Sequence, residues 1–270
     1  MTTPSTGQVQ QFWEQNPLAV AGITAEPGTR GFYAEFNRLR EEVEPLGFQD
    51  SFYRFADYRG KRVCEVGCGN GYLLSRYAEH GAIVTGVDLT ERAVELSRRR
   101  FELHGLPGTF VQGNAEQLPL RDGSFDLVLS MGVLHHVPDI HRAVSEIRRV
   151  VEPGGTFLTM VYHRNSAAYR LVFPLEVTLR KVNRGKSLQD MVNQVDGLGN
   201  PLGRVYSRGE LQTLLAGFRI TETDVRLFEL FLGGRVRRAL ARLPVSVQEA
   251  LGRRAGWFLY ARAERSTDSQ

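Results

Sequence analysis

The sequence predicts a doubly wound α/β fold, in which a mostly parallel β-sheet carries helices on both of its faces. Between residues 60 and 163, short apolar segments alternate with longer segments whose apolar residues recur at helical spacing. The apolar segments, among them Ile83–Val84 and Leu127–Leu129, lack the polar alternation of half-exposed strands, which favours strands buried on both faces. A glycine-rich turn joins the first strand to the first helix.

Each element of this regular core has its own signal in the sequence. The predicted strands are Arg62–Val66, Ala82–Val87, Thr109–Gln112, Phe125–Ser130 and Thr156–Tyr162. The predicted helices between them are Tyr72–His80, Glu91–His104 with Thr90 as its cap, and a third helix capped by Asp139. Segment 153–155, Pro-Gly-Gly, ends that third helix, whose apolar stripe consists of Ile140, Ala143, Val144, Ile147, Val150 and Val151.

The regions outside this core, residues 60–163, are predicted to be additions to one fold. Residues 1–59 are rich in aromatic residues and include a predicted helix at Gly31–Val43, so we expect an N-terminal helical lid. The regular alternation stops after residue 163, and residues 164–206 are predicted to form an insertion that caps the core. Residues 207–265 complete the fold, and residues 266–270 form a polar tail that we expect to be flexible.

The C-terminal region is predicted to contain two helices and two strands. A capping box at Ser207–Glu210 opens one helix, and the strand Phe218–Leu227 follows it. The basic segment Gly234–Arg254 is predicted to be helical, and Gly256–Ala263 to be the last strand.

Composition and cysteine usage exclude several classes of protein. The chain has 270 residues, of which 42% are hydrophobic, and no apolar run approaches the roughly 20 residues that span a bilayer. Met1–Gly7 lacks the basic and apolar pattern of a signal peptide, so we expect a soluble, cytoplasmic protein. Cys64 falls in a strand and Cys68 in the glycine-rich loop, without a second pair of ligands, so we expect neither a metal site nor a disulfide.

The net charge of +4 is unevenly distributed along the chain. Residues 164–254 contain 16 Lys and Arg residues against 8 Asp and Glu residues, whereas the remainder is acidic overall. Such a segment is either a set of solvated helix faces or a region that attracts an anionic substrate, a membrane surface or an acidic partner. The sequence leaves these alternatives open, so peripheral contact with a membrane is compatible with it although a membrane-spanning segment is not expected.

The main chemical signal is the glycine-rich segment 65–71, between the first predicted strand and the first predicted helix. Glycines there let the backbone approach a ligand closely, and the helix offers free N–H groups and a positive dipole end. Asp88 ends the second strand about 20 residues later, where a carboxylate can accept hydrogen bonds from the ribose of an adenosine cofactor. The alternative is that Asp88 only introduces the helix that Thr90 caps.

Further candidate residues follow the third and fourth predicted strands. Asn114 could pair with the edge of adenine, with help from the backbone of Ala115, or the two could form a polar turn. Ser130 and Met131 follow the fourth strand. All these loops lie at carboxyl ends of strands, where open α/β sheets bind their ligands.

Six motifs make the sequence similar to a known family. They are Glu-Val-Gly-Cys-Gly-Asn-Gly at 65–71, Gly-Val-Asp-Leu at 86–89, Gly-Asn-Ala-Glu-Gln-Leu-Pro at 113–119, Ser-Phe-Asp-Leu-Val at 124–128, Val-Leu-His-His-Val at 133–137 and Val-Glu-Pro-Gly-Gly at 151–155. In these motifs the chain resembles the class I S-adenosylmethionine-dependent methyltransferases, especially the ubiquinone/menaquinone methyltransferase-like group. The resemblance is strong over residues 60–162 and does not extend to residues 1–59 or to the insertion.

The resemblance implies a Rossmann-like sheet of seven strands, the last of them antiparallel and inserted by a hairpin, and S-adenosyl-L-methionine as the cofactor. Asn114 stands where the family commonly has Asp, but it still offers an acceptor oxygen. Ser130 and Met131 are implied to lie beside the cofactor. The complete set of implied cofactor residues is Glu65, Gly67, Cys68, Gly69, Asp88, Leu89, Asn114, Ala115, Ser130 and Met131.

The resemblance also implies individual roles within this set. Gly67 and Gly69 are implied to face the methionine part of the cofactor, and Glu65 to support its amino group. Asp88 is implied to hold the ribose, and Leu89 to pack on the adenine.

Methyl transfer from a sulfonium depends mainly on holding the nucleophile in line with the methyl–sulfur bond, so we expect no dedicated catalytic triad. Where the acceptor needs a general base, His135 and His136 are the nearest candidates, because imidazole titrates near neutral pH. A histidine pair at this place also occurs in the family without a fixed catalytic role, so a structural duty is the alternative. Tyr162 and His163, at the end of the fifth predicted strand, are second candidates.

Acceptor selection is predicted to lie in residues 1–59 and 164–206. Their mixture of aromatic and basic residues suits a small amphipathic molecule with a ring or chain and an anionic group, although simple packing is the alternative for the aromatic residues. We expect no nucleic-acid partner, because no recognised nucleic-acid module is apparent, and we expect a monomer or a homodimer. The candidate acceptor residues are Phe12, Trp13, Tyr33, Tyr169 and Arg170.

Three other functions stay open on the sequence. A nicotinamide-dependent dehydrogenase shares the glycine loop and the ribose carboxylate, but Tyr72 stands where its third glycine is required. A non-catalytic protein that binds an adenosyl ligand would keep the same loop without turnover. A nucleic-acid or protein methyltransferase would keep the whole cofactor site and use the basic segment for its partner.

Overall fold

A mixed β-sheet organises the protein in the computed structural model, which describes residues 3–16, 22–183, 185–227, 238–239 and 242–267. The order across the sheet is β3-β2-β1-β4-β5-β8-β7, and the short β6 pairs with the end of β5. Strands β1 to β5 are parallel, and β8 is antiparallel to both of its neighbours. The strands are β1 (Arg62–Val66), β2 (Ile83–Asp88), β3 (Thr109–Gln112), β4 (Phe125–Met131), β5 (Val151–His163), β6 (Val205–Tyr206), β7 (Phe218–Arg226) and β8 (Phe258–Arg265).

This topology confirms the doubly wound, mostly parallel sheet with an antiparallel last strand. Strand β8 enters between β5 and β7, and the two-residue β6 is an addition to the seven strands that the resemblance implied. The strand order reverses between β1 and β4, and a reversal of this kind leaves a crevice at the carboxyl ends of the strands.

Helices cover both faces of the sheet. Leu127 and Leu129 of β4 pack in one hydrophobic cluster with residues of the fourth and fifth helices, whereas Val128 packs in a second cluster with residues of the sixth and ninth. All three side chains are fully buried, as the lack of polar alternation predicted. The helices are α1 (Thr6–Gln15), α2 (Arg30–Val43), α3 (Leu46–Tyr53), α4 (Tyr72–Glu79), α5 (Glu91–His104), α6 (Ile140–Val150), α7 (Phe173–Leu179), α8 (Leu188–Asn193), α9 (Arg208–Leu214) and α10 (Val245–Ala255).

Local signals set several helix boundaries as predicted. The side chain of Thr90 accepts a hydrogen bond from the backbone N–H of Ala93, and α5 ends at Gly105 in the left-handed conformation. Asp139 caps α6 in the same way as Thr90 caps α5. The capping box at Ser207–Glu210 opens α9.

The junction between α6 and β5 differs from the prediction. Segment 153–155 was expected to separate the helix from the strand, but α6 ends at Val150 and β5 begins at Val151. A register shift between β4 and β5 accommodates the additional residues, and Gly154 has a φ of 80° there. The Pro-Gly-Gly segment therefore forms an irregular start of the strand, because glycine tolerates the backbone conformation that a bulge requires.

The C-terminal boundaries also differ in detail. Helix α10 occupies the second part of the predicted helix Gly234–Arg254, of which residues 234–237, 240 and 241 lie outside the described residues. Strand β8 begins and ends later in the chain than the predicted strand Gly256–Ala263. Of the predicted tail, residues 268–270 are outside the described residues. Across the described ranges, no helix combines the length and the apolar character that crossing a bilayer requires.

The two additions have different relations to the core. In the N-terminal region, Phe52 of α3 and Phe55 are buried, and their rings contact those of Tyr260 and Tyr77 respectively. The cap, defined here as residues 164–206, packs around a smaller cluster that includes Tyr162 of β5. The part of the N-terminal region after α2 is thus core packing, whereas α1, α2 and the cap border the cavity described next.

Candidate active site

A cavity of about 330 Å³ lies at the carboxyl ends of the parallel strands. The loops that follow β1, β2, β3 and β4 contribute to its wall, together with α1, α2 and the cap. The cavity therefore lies where the reversal of strand order predicts a ligand site. The residues in its wall that the sequence had singled out are Trp13, Glu65, Gly67, Cys68, Gly69, Asp88, Leu89, Asn114, Ala115, Met131, His136 and Tyr162.

The backbone of the glycine loop forms part of the cavity wall, and at Gly67 there is no room for a side chain. Gly67 has a φ of 80°, and a Cβ atom on it would lie 2.2 Å from a methyl group of Val133. The N–H groups of Gly67 and Cys68 both donate to the carbonyl oxygen of Val87, at 2.7 and 3.2 Å. The loop is thereby fixed to β2, with its backbone available for close approach by a ligand.

Asp88 connects this loop to the start of α5. Its Oδ2 accepts the N–H of Gly69 at 3.0 Å, and its Oδ1 accepts the N–H and the hydroxyl of Thr90 at 3.0 and 2.9 Å. Burial raises the pKa of Asp88, and these hydrogen bonds act in the opposite direction. Thr90, and not Asp88, caps the helix, so Asp88 remains in the cavity wall. A carboxylate has about four acceptor positions, and the three hydrogen bonds leave one of them for a ribose hydroxyl.

Glu65 is a buried carboxylate in the cavity wall that lacks a full set of partners. Its side chain is 4% exposed, and its Oε2 has no hydrogen-bond partner among the described residues. Burial raises the pKa of Glu65 to about 8, and the positive charge of Arg40 opposes this effect. An ammonium group is the ligand that would satisfy this acceptor and favour its ionised form, so Glu65 fits the amino group of the cofactor.

The adenine side of the predicted site is formed by Leu89, Asn114 and Ala115, all in the cavity wall. The Oδ1 atom of Asn114 accepts the backbone N–H of Glu116 at 2.9 Å, which is the polar-turn alternative. An amide oxygen has a second lone pair, so this turn orients Asn114 without excluding a bond to adenine.

The two adjacent histidines have different surroundings. His135 is fully buried, and neither of its ring nitrogens has a hydrogen-bond partner within the described ranges. Burial lowers its pKa well below the usual value, with a smaller effect from His136. The ring packs between those of His136 and Tyr162, at centroid distances of 4.1 and 3.9 Å. His135 does not line the cavity, so the geometry favours the structural alternative for it.

His136 lies in the cavity wall with an acceptor at each ring nitrogen. Its Nδ1 is hydrogen-bonded to the carbonyl oxygen of Leu202, and its Nε2 lies 3.2 Å from Oδ2 of Asp196. The ring of Trp13 packs edge-on against His136, at a centroid distance of 5.0 Å.

Asp196 of the cap links His136 to Tyr162. The Tyr162 hydroxyl donates to the Asp196 carboxylate at 2.6 Å, and Nδ2 of Asn200 donates at 3.3 Å. Burial raises the pKa of Tyr162 well above its usual range, and the charge of Asp196 raises it further, so the hydroxyl stays a donor. His136, Tyr162 and Asp196 all line the cavity, and we call them the cap cluster.

Two further predicted site residues do not line the cavity. Ser130 is fully buried, and its carbonyl oxygen accepts the hydroxyl of Thr159 at 3.0 Å. His163 is also buried, with its Nδ1 at 3.1 Å from the carbonyl oxygen of Gly256, and burial lowers its pKa. Both residues support the sheet beside the cavity.

Of the predicted acceptor residues, all of which the structure describes, Trp13 lines the cavity and Phe12, Tyr33, Tyr169 and Arg170 do not. The Tyr33 hydroxyl donates to the carbonyl oxygen of Leu96 at 2.7 Å, and the Arg100 guanidinium lies over its ring at 4.5 Å. Tyr33 thus packs α2 onto α5, which is the packing alternative stated for the aromatic residues.

Arg40 and Asp196 are cavity residues that sequence reasoning missed. Arg40 lies one helical turn after Phe36, which also lines the cavity. The helical spacing of these two residues could have indicated that they share one face of α2. Asp196 has no comparable local signal, because its position depends on how the cap folds back over β5.

Comparison with known proteins identifies relatives over this part of the chain. A family model described as "Methyltransferase domain" matches residues 64–159. The ubiquinone biosynthesis O-methyltransferase of Chromobacterium violaceum is 36% identical over 197 residues, which cover 64% of this chain and 83% of that protein. The protein of the same name from Aromatoleum aromaticum is 36% identical over 154 residues, or 56% of this chain and 65% of that protein. The chain thus spans slightly less than two thirds of the latter relative.

Solved structures share the fold at lower sequence identity. A structure described as the [4+2]-cyclase SpnF superposes with a TM-score of 0.60 at 20% identity, over 99% of this chain and 98% of that one. A SAM-dependent methyltransferase from Methanosarcina mazei superposes with a TM-score of 0.58 at 20% identity, over 80% of this chain and 99% of that one.

The sheet, the glycine loop and the adjoining carboxylates define an α/β protein that binds an adenosyl cofactor. With the relatives just described, the chain belongs to the class I S-adenosylmethionine-dependent methyltransferases. Its cofactor is S-adenosyl-L-methionine.

Proposed function

We propose that the protein is an O-methyltransferase that methylates a hydroxyl group of a small amphipathic metabolite. The observation that carries this proposal is the cap cluster, which lines the same cavity as Glu65 and Asp88. The methyl donor and a group able to take a proton therefore share one cavity. The names of the relatives, which are O-methyltransferases of ubiquinone biosynthesis, support oxygen as the methylated atom.

The remaining wall of the cavity suits an apolar ring or chain. Pockets with mostly apolar walls and a few convergent polar groups orient a ligand by its polar end. Here the polar end of an amphipathic acceptor would meet Asp196 and not Arg170, because Arg170 does not line the cavity. The apolar side chains of the wall include Val9, Trp13, Val133, Val137, Pro138, Met160 and Phe258.

Asp196 is the group we assign as proton acceptor. The bound cofactor supplies a methyl group on a sulfonium, whose leaving group is a neutral thioether. As the acceptor oxygen takes the methyl group and the thioether leaves with the electron pair of the broken carbon–sulfur bond, Asp196 would take the hydroxyl proton. The methylated oxygen becomes strongly acidic during this step, so a carboxylate suffices. The hydrogen bond from Tyr162 and the contact with Nε2 of His136 at 3.2 Å hold Asp196 in position.

The test is incubation of the full chain with methyl-labelled cofactor and pairs of amphipathic acceptors that differ only in a hydroxyl or an amino group. Mass spectrometry should place the label on oxygen. A product labelled on nitrogen or carbon contradicts the O-methyltransferase assignment.

Replacing Asp196 by Asn in the same assay separates the proton acceptor from cofactor binding. Asn keeps the shape of the side chain but removes its charge, so kcat should fall by about 10²- to 10⁴-fold while affinity for S-adenosylhomocysteine changes little. Glu176→Gln is the matched control, because Glu176 is a cap carboxylate that does not line the cavity. A turnover of Asp196→Asn equal to that of the control at every pH rules out the role assigned to Asp196.

A non-catalytic adenosyl-binding protein is an alternative that the sequence left open. The fold also accommodates a protein described as a [4+2]-cyclase, so the fold alone does not imply methyl transfer. Tight binding of S-adenosylhomocysteine, with no methylated product from any acceptor pair, would support this alternative.

A further inference from the structure

Asn200 is a buried amide of the cap that contacts the proposed proton acceptor. It is 5% exposed and does not line the cavity. Its Nδ2 atom donates to Oδ2 of Asp196 at 3.3 Å, and its Oδ1 atom accepts the backbone N–H of Leu202 at 3.1 Å. Asn200 therefore contacts Asp196 from outside the space that an acceptor would occupy.

The backbone fixes the orientation of the Asn200 amide. The N–H of Leu202 can only donate, so the Asn200 atom that faces it is the oxygen, and the amide nitrogen then faces Asp196. The opposite orientation would set donor against donor and acceptor against acceptor in a buried place, which is costly. Asn200 is thus a donor towards Asp196, and because an amide does not titrate, it remains a donor at every pH.

A closed set of contacts joins Asn200 to the cap cluster. The carbonyl oxygen of Leu202 lies against Nδ1 of His136, and Nε2 of His136 lies 3.2 Å from the same Oδ2 of Asp196 that Asn200 contacts. The segment from Asp196 to Leu202 therefore contacts His136 at both of its ends, with Asn200 bridging the two ends. Supporting hydrogen bonds of this kind lock the geometry of a functional side chain.

The two carboxylate oxygens of Asp196 have different numbers of contacts. Oδ2 is contacted by Asn200, by His136 and by the Tyr162 hydroxyl, at 3.3, 3.2 and 2.6 Å. Oδ1 has the Tyr162 hydroxyl, also at 2.6 Å, as its one hydrogen-bond partner among the described residues. A carboxylate oxygen has about two acceptor positions, so Oδ1 keeps one open whereas those of Oδ2 are used.

We propose that Asn200 is a positioning residue for methyl transfer, whose amide holds Oδ2 of Asp196 and leaves Oδ1 as the oxygen that takes the proton. This role rests on the proposed function of Asp196 as proton acceptor. Asp196 takes the hydroxyl proton on Oδ1 while the acceptor oxygen bonds to the methyl carbon, and the thioether leaves with the electron pair of the carbon–sulfur bond. The hydrogen bond from Asn200 also favours ionised Asp196, which is the form able to accept a proton.

Replacing Asn200 by Leu tests this role, because leucine is similar in size but has neither a donor nor an acceptor. Without that hydrogen bond to its charged form, Asp196 should take up a proton at a pH about one unit higher than in wild type. The single-turnover rate of methylation should then fall by about tenfold on the acidic side of the pH profile and by less on the basic side. His136 and Tyr162, the titratable groups that contact Asp196 in the described ranges, are unchanged in this comparison.

Asn193→Leu is the matched control. Asn193 is a second amide of the cap, and its Oδ1 accepts the N–H of Gly203 at 2.8 Å, as that of Asn200 accepts the N–H of Leu202. It neither lines the cavity nor forms a hydrogen bond with Asp196. Both variants therefore lose a hydrogen bond within the cap, but only Asn200→Leu loses a donor to Asp196. The acid limb of Asn193→Leu should stay where it is in wild type.

Two measurements report on the same proton. The rate is followed with para-octylphenol and S-adenosyl-L-methionine, and calorimetry with S-adenosylhomocysteine should give affinities within about threefold of wild type for both variants. Nuclear magnetic resonance of the wild-type chain with S-adenosylhomocysteine bound requires neither an acceptor nor a folded variant. The side-chain amide signal of Asn200 should shift at the pH at which the carboxyl signal of Asp196 changes, and that of Asn193 should not.

The outcomes are distinguishable. An acid limb that moves in Asn200→Leu but not in Asn193→Leu, or an Asn200 amide that follows Asp196 where Asn200→Leu does not fold, supports the proposal. An unchanged acid limb in folded Asn200→Leu, equal shifts in both variants, or an Asn200 amide that does not respond to Asp196 overturns it.

The variant Asp196→Asn separates this inference from the proposed function. If it methylates para-octylphenol at the wild-type rate, the proton-acceptor role of Asp196 fails, and the positioning role of Asn200 with it. A large loss of rate in Asp196→Asn, without either response of Asn200, overturns the positioning role alone.

Discussion

Two carboxylates in the cofactor cavity have different protonation behaviour because different numbers of donors reach them. Asp88 accepts three hydrogen bonds from Gly69 and Thr90, whereas the Oε2 atom of Glu65 accepts none from the described residues. Burial raises the pKa of both groups, and that of Glu65 reaches about 8. Before a ligand binds, Glu65 is therefore mostly protonated at neutral pH.

This difference predicts that cofactor binding releases a proton. The ammonium group favours ionised Glu65, so the pKa of Glu65 must fall from about 8 when the ligand binds. The carboxyl of Glu65 holds a proton in the free protein and loses it in the complex, so the affinity for the ligand should rise with pH below about 8. Where one full proton is released on binding, the affinity should rise on the order of tenfold per pH unit. Titrations of S-adenosylhomocysteine at pH 6 and 7, in buffers of different ionisation enthalpy, measure the number of protons released.

Glu65→Gln provides the control for this prediction. The amide cannot ionise, so its binding heat should not depend on the buffer, and its affinity should be low at both pH values. A wild-type binding heat that is the same in all buffers would show that Glu65 does not change protonation on binding.

At the scale of elements, the turn between β1 and α4 depends on steric fit as well as on backbone conformation. A Cβ atom on Gly67 would collide with Val133, which follows β4, so the turn is closed against a loop distant in sequence. Replacing Gly67 by Ala should therefore weaken binding of S-adenosylhomocysteine strongly and destabilise the fold by about 1–3 kcal/mol. Thermal unfolding and calorimetry measure the two effects.

The steric and backbone contributions at Gly67 can be separated. Gly67→Ala/Val133→Ala removes the collision but keeps the φ of 80°, so it should recover part of the affinity. Gly105→Ala is the control for positive φ alone, because no atom lies within 4 Å of the Cβ position there. If Gly67→Ala binds like wild type, the close approach of the loop is not required.

The elements that could be predicted are those whose signals are local. The glycine loop, Asp88 and Thr90 sit at strand and helix ends that a few neighbouring residues define, and the structure places them there. His135 and His136 are adjacent in sequence, yet one is enclosed by the core and the other lines the cavity, which depends on packing against β5 and the cap. Side-chain direction of this kind has no signal in the spacing alone.

At the scale of the whole molecule, the cavity lies between a firmly packed sheet and helix α1, which is held by the packing of Val9 and Phe12 and by polar contacts. Gln10 donates to the carbonyl oxygen of Leu89 at 3.1 Å, and Glu14 accepts the N–H of Arg92 at 3.2 Å. Its apolar residues Val9 and Trp13 line the cavity. The lid expected for the whole of residues 1–59 stays a prediction for α1, because α3 is part of the core.

This arrangement predicts that ligand binding stabilises α1 selectively. With the cavity filled, Trp13 would bury its partly exposed ring against ligand, whereas the contacts of α3 with Tyr260 would not change. In hydrogen–deuterium exchange, S-adenosylhomocysteine should slow the amides of Thr6–Gln15 and leave those of Leu46–Tyr53 unaltered. If the ligand slowed exchange equally in both segments, α1 would not open independently of the core. In that case α1 could not act as a lid for the acceptor.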